Sequence, residues 1–134
     1  MVRYVCLGFE TNGFPEKNCK PEPWSSYPTQ ISLTAVENGE VAHLYDSYIQ
    51  GTESFNQWVK QNVPITLGDL DGAPKLPQII SEIAKLLRPD DWIVAHNCYF
   101  DLESCLARTA QKQDCQTESL HFILCLPRFC TMNC

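Results

Sequence analysis

The sequence lacks long hydrophobic runs, internal repeats and an excess of positive charge. No apolar run approaches the roughly 18 residues of a membrane-spanning helix, and the N-terminus carries no signal-peptide core. Both absences predict an intracellular protein, cytoplasmic or nuclear, with no membrane partner. Lys and Arg number 10 against 16 Asp and Glu, and the formal net charge of -6 argues against a strongly basic nucleic-acid scaffold.

Cysteine is abundant, but the spacing that marks a zinc knuckle is missing. The chain has 8 cysteines and no Cys-x-x-Cys pair. We expect mainly buried, reduced thiols, because cysteine behaves as a small apolar residue in the core of an intracellular protein. The alternative is a structural zinc ion on four tail residues that offer imidazole and thiolate ligands, namely His121, Cys125, Cys130 and Cys134.

Length and pattern predict one domain over residues 1–134 that begins with three strands. The 44% hydrophobic and 19% charged fractions are typical of a globular protein. Residues 3–9 form an apolar run that we expect to be a central strand. Residues 29–36 and 41–49 are rich in β-forming residues and flank Asn38-Gly39. This dipeptide favours a type I′ hairpin turn, because both of its residues accept a positive φ.

Two helices are predicted after the hairpin. The first is short, is capped by Thr52 or Ser54, and carries Trp58, which we expect in the core together with Trp92. The second is amphipathic, because apolar residues recur at three- and four-residue spacing. These residues are Leu76, Ile79, Ile80, Ile83, Leu86 and Leu87.

The C-terminal part predicts a strand, a helix and a last apolar segment that we expect to be a strand. Residues 92–95 are apolar and partly β-branched, and residues 99–111 have helical character. In the last segment, residues 120–132, we expect an exposed patch of four side chains, namely Phe122, Leu124, Leu126 and Phe129. Because patches of this kind usually serve as interfaces, we expect self-association or a protein partner through residues 120–134.

Polar residues follow two of the predicted strands at their C-terminal ends. Residues 8–13 follow the first strand and include Glu10, while residues 96–101 follow the strand at 92–95 and include Asp101. Sheets of α/β proteins bind ligands outside the C-terminal ends of their strands. Two such ends, each with a carboxylate, predict a shared metal centre.

Both segments resemble motifs of one enzyme family. Phe9-Glu10-Thr11-Asn12-Gly13-Phe14-Pro15 is similar to the first motif of the DEDDh 3′ to 5′ exonucleases, the class of ribonuclease T and of the proofreading subunit of DNA polymerase III. His96-Asn97-Cys98-Tyr99-Phe100-Asp101 resembles the second motif. The resemblance implies an α/β, ribonuclease H-like fold. Its mixed β-sheet would be flanked by helices, with strands 1–3 antiparallel and later strands parallel to strand 1.

The resemblance also implies an activity, namely two-metal hydrolysis of phosphodiesters at the single-stranded 3′ end of DNA or RNA. Glu10 and Asp101 correspond to catalytic carboxylates that hold Mg²⁺ or Mn²⁺. Phe14 or Tyr99 would stack on a terminal base. The substrate-contacting positions are Thr11, Phe14, Asn97 and Tyr99.

Two departures from the family pattern lower the expected activity. Gly8 occupies the position of the Asp in the family's Asp-x-Glu motif, and the family's last motif, a His followed by an Asp, does not occur after residues 129–132. We therefore expect a C-terminally incomplete domain that degrades single-stranded nucleic acid barely above background. Two alternatives stay open: a catalytically dead exonuclease fold that binds a nucleic-acid end or a protein partner, and a zinc-stabilised interaction module.

Overall fold

The computed structural model describes residues 2–13, 27–52 and 55–133. Phe14, Ser54 and Cys134 carry predictions from the sequence and lie outside these ranges. Among the described helices, none is both long enough and apolar enough to cross a bilayer.

One mixed sheet contains the described strands. They are β1 (Tyr4–Thr11), β2 (Pro28–Glu37), β3 (Glu40–Tyr48), β4 (Trp92–Ala95) and β5 (Arg128–Cys130). Their order is β3-β2-β1-β4-β5. β1 pairs antiparallel with β2, and β2 with β3, while β4 runs parallel to β1 and β5 parallel to β4. The predicted mixed sheet is therefore confirmed, with β1 in its centre.

The turn between β2 and β3 lies where the sequence predicts it. Asn38 and Gly39 both have positive φ, 55° and 76°, and Glu37 pairs with Glu40 across the turn. Asparagine and glycine tolerate this left-handed backbone better than other residues, so the dipeptide determines where the chain reverses.

Helices follow the hairpin and separate the later strands. They are α1 (Gln57–Asn62), α2 (Leu67–Leu70), α3 (Leu76–Leu86), a π-helix (Tyr99–Arg108), α4 (Thr109–Lys112) and α5 (Glu118–Cys125). α3, the π-helix and α5 pack against one face of the sheet, which contributes Val5, Leu7 and Ile93 to the main core. Phe55 and Val59 form a smaller core with Leu70.

α3 is the predicted amphipathic helix. Its stripe of buried residues comprises Leu76, Ile79, Ile80 and Ile83. Burial of each such side chain contributes roughly 1.5 to 3 kcal/mol. The pattern also places Leu86 in this stripe, but Leu86 is 38% exposed. The helix ends there, and the buried Leu87 packs in the core instead.

The short helix α1 begins later than the sequence predicts, and its tryptophan is not in the core. Asn56 caps the helix by accepting a 2.9 Å hydrogen bond from the N–H of Val59, so Thr52 is not the cap. Trp58 is 65% exposed, because the side of α1 that faces the smaller core presents Val59. The prediction of a buried Trp58 is therefore wrong.

The helix after β4 has a wider turn than the predicted α-helix. Two hydroxyl groups bond to carbonyl oxygens five residues earlier: Ser104 Oγ donates to the carbonyl of Tyr99 at 3.3 Å, and Thr109 Oγ1 to that of Ser104 at 3.5 Å. Such bonds give the backbone an alternative to the α-helical pattern. π-helical turns are rare and frequently occur at functional sites.

The last apolar segment is partly helix and partly strand, which corrects the prediction of a single exposed apolar stretch. Most of its apolar side chains pack in or against the core, namely Leu120, Phe122, Ile123, Leu124 and Leu126. The predicted patch is therefore reduced to Phe129, which is 46% exposed. Association through residues 120–134 stays a prediction, with less apolar surface to support it.

Aromatic side chains stay exposed on the second face of the sheet. Tyr4 is 46% exposed and pairs with Trp92, which is 37% exposed. Strand alternation explains why the prediction of a buried Trp92 is wrong: β4 directs Ile93 and Ala95 into the core, so Trp92 points to the other face.

A buried ion pair joins the start of β1 to the residue that precedes β4. Arg3 donates from Nε and Nη2 to the two carboxylate oxygens of Asp91, at 2.9 and 2.6 Å. The N–H of Arg88 also donates to Asp91, at 2.7 Å. Burial disfavours the charged carboxylate, but the bonds from Arg3 and Arg88 hold the pKa of Asp91 below its usual value.

We expect Asp91→Asn to lower the free energy of unfolding by about 3 to 5 kcal/mol at neutral pH, because Arg3 would keep a buried charge without its partner. Glu37→Gln removes the exposed partner of Arg88 and should cost at most about 1 kcal/mol. Urea unfolding followed by circular dichroism measures both values, and equal losses would contradict the account.

The pH dependence of this contribution has a definite sign. Folding lowers the pKa of Asp91, so the stability from its ion pair is present above the pKa of the unfolded state. It should be lost as the pH falls through the lower, folded-state value. The free energy of unfolding of Asp91→Asn should therefore fall less steeply with decreasing pH than that of the parent protein.

Candidate metal and nucleotide site

The C-terminal ends of β1 and β4 lie side by side, because the two strands are parallel neighbours. Glu10 is near the end of β1, and Asp101 lies in the first turn of the π-helix that follows β4. The backbone N–H of Phe9 donates to Asp101 Oδ1 at 3.3 Å. The fold thus brings both predicted carboxylates to the same end of the sheet, where β1 and β4 terminate.

Asp101 is a buried acid, only 6% exposed. Burial is the main reason that its pKa rises to about 6, and the charge of Glu10 raises it further. The N–H groups of Phe9 and Asn97, and the ring of His96, oppose this rise. At neutral pH the folded protein therefore holds a carboxylate whose charge is incompletely compensated. A cation bound beside it would remove that cost.

Asn97 shapes the turn that leads to Asp101. Its side-chain oxygen accepts a 3.1 Å hydrogen bond from the N–H of Phe100, and its backbone carbonyl accepts one of 2.9 Å from the N–H of Asp101. His96 Nδ1 lies 2.9 Å from Thr131 Oγ1 and hydrogen-bonds to it. These contacts give Asn97 a structural role, and its contact with substrate stays a prediction.

Of the other predicted substrate-contacting residues, Thr11 lies at the end of β1 and Tyr99 begins the π-helix after β4. Tyr99 is 54% exposed, so most of its ring is accessible. Thr11 Oγ1 accepts a 3.3 Å hydrogen bond from the N–H of Gly13 and thereby shapes the end of β1. Phe14 lies outside the described residues. Binding of substrate by these three residues stays a prediction.

Gly8 leaves open space on the strand face that carries Glu10. Strand alternation points both positions to the exposed face, and a Cβ atom added at Gly8 would meet nothing within 4 Å. In the described part of the chain, no group of three or more His, Cys, Asp or Glu side chains could hold a metal ion. Two carboxylates are too few ligands for a two-metal centre, and a single hard cation held by Glu10 and Asp101 stays a prediction.

The predicted zinc ligands do not come together among the residues that the structure describes. His121 and Cys125 lie one turn apart on α5, with 3.4 Å between Nε2 and Sγ. Cys130 instead accepts a hydrogen bond from the N–H of Cys98. Cys134 lies outside the described residues. The zinc prediction therefore finds no support here.

A cavity of about 540 Å³ opens beside Glu10. The end of β1, strands β2 and β3, and the segment from α1 to Ile65 form its walls. Its lining includes Thr11, Gln30, Tyr48, Trp58, Val63 and Ile65. The volume is within the range of small-molecule sites, and an exposed indole beside aliphatic side chains suits a flat, partly apolar group.

The known proteins that this chain resembles are described as exonucleases. No protein-family model matches the chain. The Bacillus subtilis (strain 168) protein named 3′-5′ exonuclease DinG is 28% identical over 101 residues, which are 75% of this chain and 10% of that protein. This chain thus spans about a tenth of the length of its curated relative.

Solved structures of 3′-exonucleases superpose on most of the chain. Exonuclease I in its apo form gives a TM-score of 0.73 at 12% identity, over 98% of this chain and 29% of that one. A full-length 3′-exonuclease gives 0.65 at 12% identity, over 83% and 52%. E. coli Exonuclease I bound to a dT13 oligonucleotide gives 0.69 at 12% identity, over 97% and 28%. This chain has the fold of these 3′-exonucleases.

Within this exonuclease fold, the cavity is the feature that the sequence does not predict. The pattern of α1 is typical of a helix with one buried side and assigns Trp58 to that side. In the structure Trp58 lies at the rim of the cavity instead. The sequence does contain the Asn56 cap, which marks where α1 begins but not which side of the helix faces the core.

We expect Asp101→Asn to stabilise the protein when no divalent cation is present. Folding raises the pKa of Asp101 from 3.8 to about 6. Its contribution to stability is therefore fully present below the unfolded-state pKa and is lost as the pH rises through the folded-state value. At about pH 7.5 the variant should be more stable by about 2 to 3 kcal/mol, and below about pH 4 the difference should vanish.

Urea unfolding in a chelator-containing buffer series from acid to neutral pH measures this difference. The exposed Asp71→Asn is the matched control, because it removes the same charge outside the site. A loss of stability in Asp101→Asn at neutral pH would mean that the ionised carboxylate is well compensated without a cation, which contradicts the account of the site.

Proposed function

We propose that residues 1–134 form one exonuclease-like domain of the DEDDh type, which binds the single-stranded 3′ end of a nucleic acid and hydrolyses it only weakly. The observation that carries the proposal is the hydrogen bond from the Phe9 N–H to Asp101, which holds this acid near Glu10 beside the cavity. Similarity in fold to enzymes described as 3′-exonucleases supports the proposal.

The substrate class in this proposal covers DNA and RNA. One solved relative is Exonuclease I with a dT13 oligonucleotide, and another is a 3′-exonuclease described by 3′-end specific recognition of a histone mRNA stem-loop. The net charge of -6 repels phosphates, so we infer that a bound cation is needed to hold them near the acids. A single base at the end of a strand fits the cavity beside Glu10.

Glu10 and Asp101 would hold Mg²⁺ or Mn²⁺, which supplies an activated water and neutralises phosphate charge when bound. The Phe9 N–H orients one oxygen of Asp101, and the Asn97 turn sets where the acid enters the site. Asp101 binds a cation only when ionised. Because its pKa is raised to about 6, cation affinity should fall in mildly acidic solution.

The cavity would bind the terminal base and so position the phosphate that follows it. Trp58 and Tyr48 present aromatic rings, and stacking on such rings is worth roughly 1 to 3 kcal/mol per base with little sequence preference. Gln30 adds an amide that can hydrogen-bond to a base edge. The cavity therefore suits the unpaired end of a strand better than a duplex.

Binding without hydrolysis is the second candidate function, and Gly8 is the observation that favours it. The residues that line the cavity are in place, whereas the strand face beside Glu10 has no second carboxylate. Loss of one metal ligand removes transition-state stabilisation while leaving base stacking unchanged. The two candidates therefore differ in turnover and share the same binding surface.

We expect the unaltered protein to degrade a 5′-labelled single-stranded oligonucleotide far more slowly than about 1 s⁻¹, an ordinary enzyme rate, with either Mg²⁺ or Mn²⁺. Gly8→Asp should tighten Mn²⁺ binding, measured by calorimetry, because a third carboxylate fits beside Glu10 without a clash. We expect this change alone to restore little turnover.

Cys6→Asp is the matched control for that experiment, since it adds the same charge to the same strand face, two residues farther from Glu10. Glu10→Gln should weaken Mn²⁺ binding both in the unaltered protein and in the Gly8→Asp variant. Turnover near 1 s⁻¹ by the unaltered chain would overturn the proposed role of Gly8. Equal Mn²⁺ affinities for the two Asp variants would refute the site itself.

Trp58→Ala should weaken binding of a short single-stranded oligonucleotide by about 5- to 150-fold, the equivalent of one lost stacking contact. Fluorescence anisotropy of a labelled oligonucleotide measures the affinity. Trp92→Ala is the control, because that tryptophan is also exposed but does not line the cavity. If both variants bind as tightly as the parent protein, the cavity does not hold the base.

A further inference from the structure

Two thiols meet beside the turn that leads into the π-helix. Cys130 ends β5 and is the strand partner of Ala95, the last residue of β4. The N–H of Cys98 donates to Cys130 Sγ at 3.4 Å, and the Cys130 thiol is near enough to raise the pKa of the Cys98 thiol. The two cysteines are therefore neighbours, although they lie 32 positions apart in the sequence.

The other described cysteines have different surroundings. Cys105 and Cys115 are buried, and burial raises the pKa of the Cys105 thiol. Cys125 is exposed and lies against the ring of His121. Cys6 is exposed on the second face of the sheet. Cys98 and Cys130 thus combine a thiol–thiol contact with partial access to solvent, since Cys130 is half-buried.

We propose that Cys98 and Cys130 form a redox pair, which a hydroperoxide converts into a reversible disulfide. The Cys130 thiolate attacks the peroxide, the O–O bond breaks, and a sulfenic acid forms as an alcohol or water leaves. The Cys98 thiolate then attacks the Cys130 sulfur, the S–S bond forms, and hydroxide leaves with a proton as water. Two thiols lose two electrons and two protons to one peroxide.

The surroundings of the pair fix the order of these steps. Cys98 is only 7% exposed, so the peroxide reaches Cys130 first. Burial, and next the Cys130 thiol beside it, raise the pKa of Cys98. A raised pKa makes the Cys98 thiolate scarcer. Cys98 therefore suits the second step, its attack on the Cys130 sulfur, because that step occurs between neighbours within the folded chain.

The backbone around the pair is already held in position. Cys130 Sγ donates to the carbonyl of His96 at 3.3 Å, and the N–H of Met132 donates to the same oxygen at 2.8 Å. The new bond would therefore need rotation of side chains more than movement of the backbone. It would join the edge strand β5 covalently to the turn that precedes Asp101.

The test uses the full 134-residue chain treated with hydrogen peroxide, alkylated, digested without reduction and mapped by mass spectrometry. We expect a peptide that links Cys98 to Cys130 and that dithiothreitol separates. We also expect a Tm at least about 5 °C higher, because the link closes a loop of the unfolded chain. Neither result depends on a bound metal or on nuclease activity, so failure here leaves the proposed function untouched.

Cys98→Ser and Cys130→Ser should each abolish the link and the rise in Tm, whereas the matched Cys125→Ser should keep both. A sulfenic-acid probe on the exposed Cys6 shows that enough oxidant was present. If Cys6 is labelled while Cys98 and Cys130 are recovered alkylated and unlinked, or linked to other cysteines, the proposal is wrong. Mapping of the parent chain decides this even if a serine variant does not fold.

Discussion

The hydrogen bond from the Phe9 N–H to Asp101 is the contact on which the site depends. It joins the central strand to the first turn of the π-helix across 92 positions of sequence. A buried carboxylate needs such a donor, because an unsatisfied one would cost several kcal/mol. The N–H groups of Phe9 and Asn97 compensate the charge only in part, so the pKa stays raised. The same acid thus holds two elements together and is the group on which the proposed cation site depends.

Much of the fold follows from local signals in the sequence. Asn38-Gly39 determines the hairpin through its backbone preferences, and the three- and four-residue spacing in α3 determines which side of that helix is buried. Strand order is not local, yet the resemblance of two short motifs places β4 beside β1. Glu10 and Asp101 lie at the same end of the sheet because Glu10 is near the end of β1 and Asp101 is in the first turn of the helix that follows the parallel strand β4.

The wrong predictions lie where periodicity is weak. Residues 120–126 are apolar on nearly every side, so their pattern cannot separate a strand from a helix, and the Thr117 cap with the packing of α5 decides for helix. The spacing of apolar residues also does not reveal the π-helix, which contains the hydroxyl-to-carbonyl bond from Ser104 to Tyr99. Trp58 is exposed because α1 packs Val59 against Phe55 and Leu70, and tertiary contacts of this kind outweigh a one-sided pattern.

Gly8 links the energetics of the site to its chemistry. A carboxylate at this position would lie on the strand face of Glu10. Burial is the main reason that the pKa of Asp101 is raised, and the new charge would add to the smaller contribution from Glu10. Glycine spares the folded chain that repulsion when no cation is bound, but it also removes a ligand that a second cation would need. Sites that bind charge often carry such a conflict between stability and activity. In this chain glycine favours stability, and the cavity of about 540 Å³ beside Glu10 is the part of the proposed site that does not need a second carboxylate.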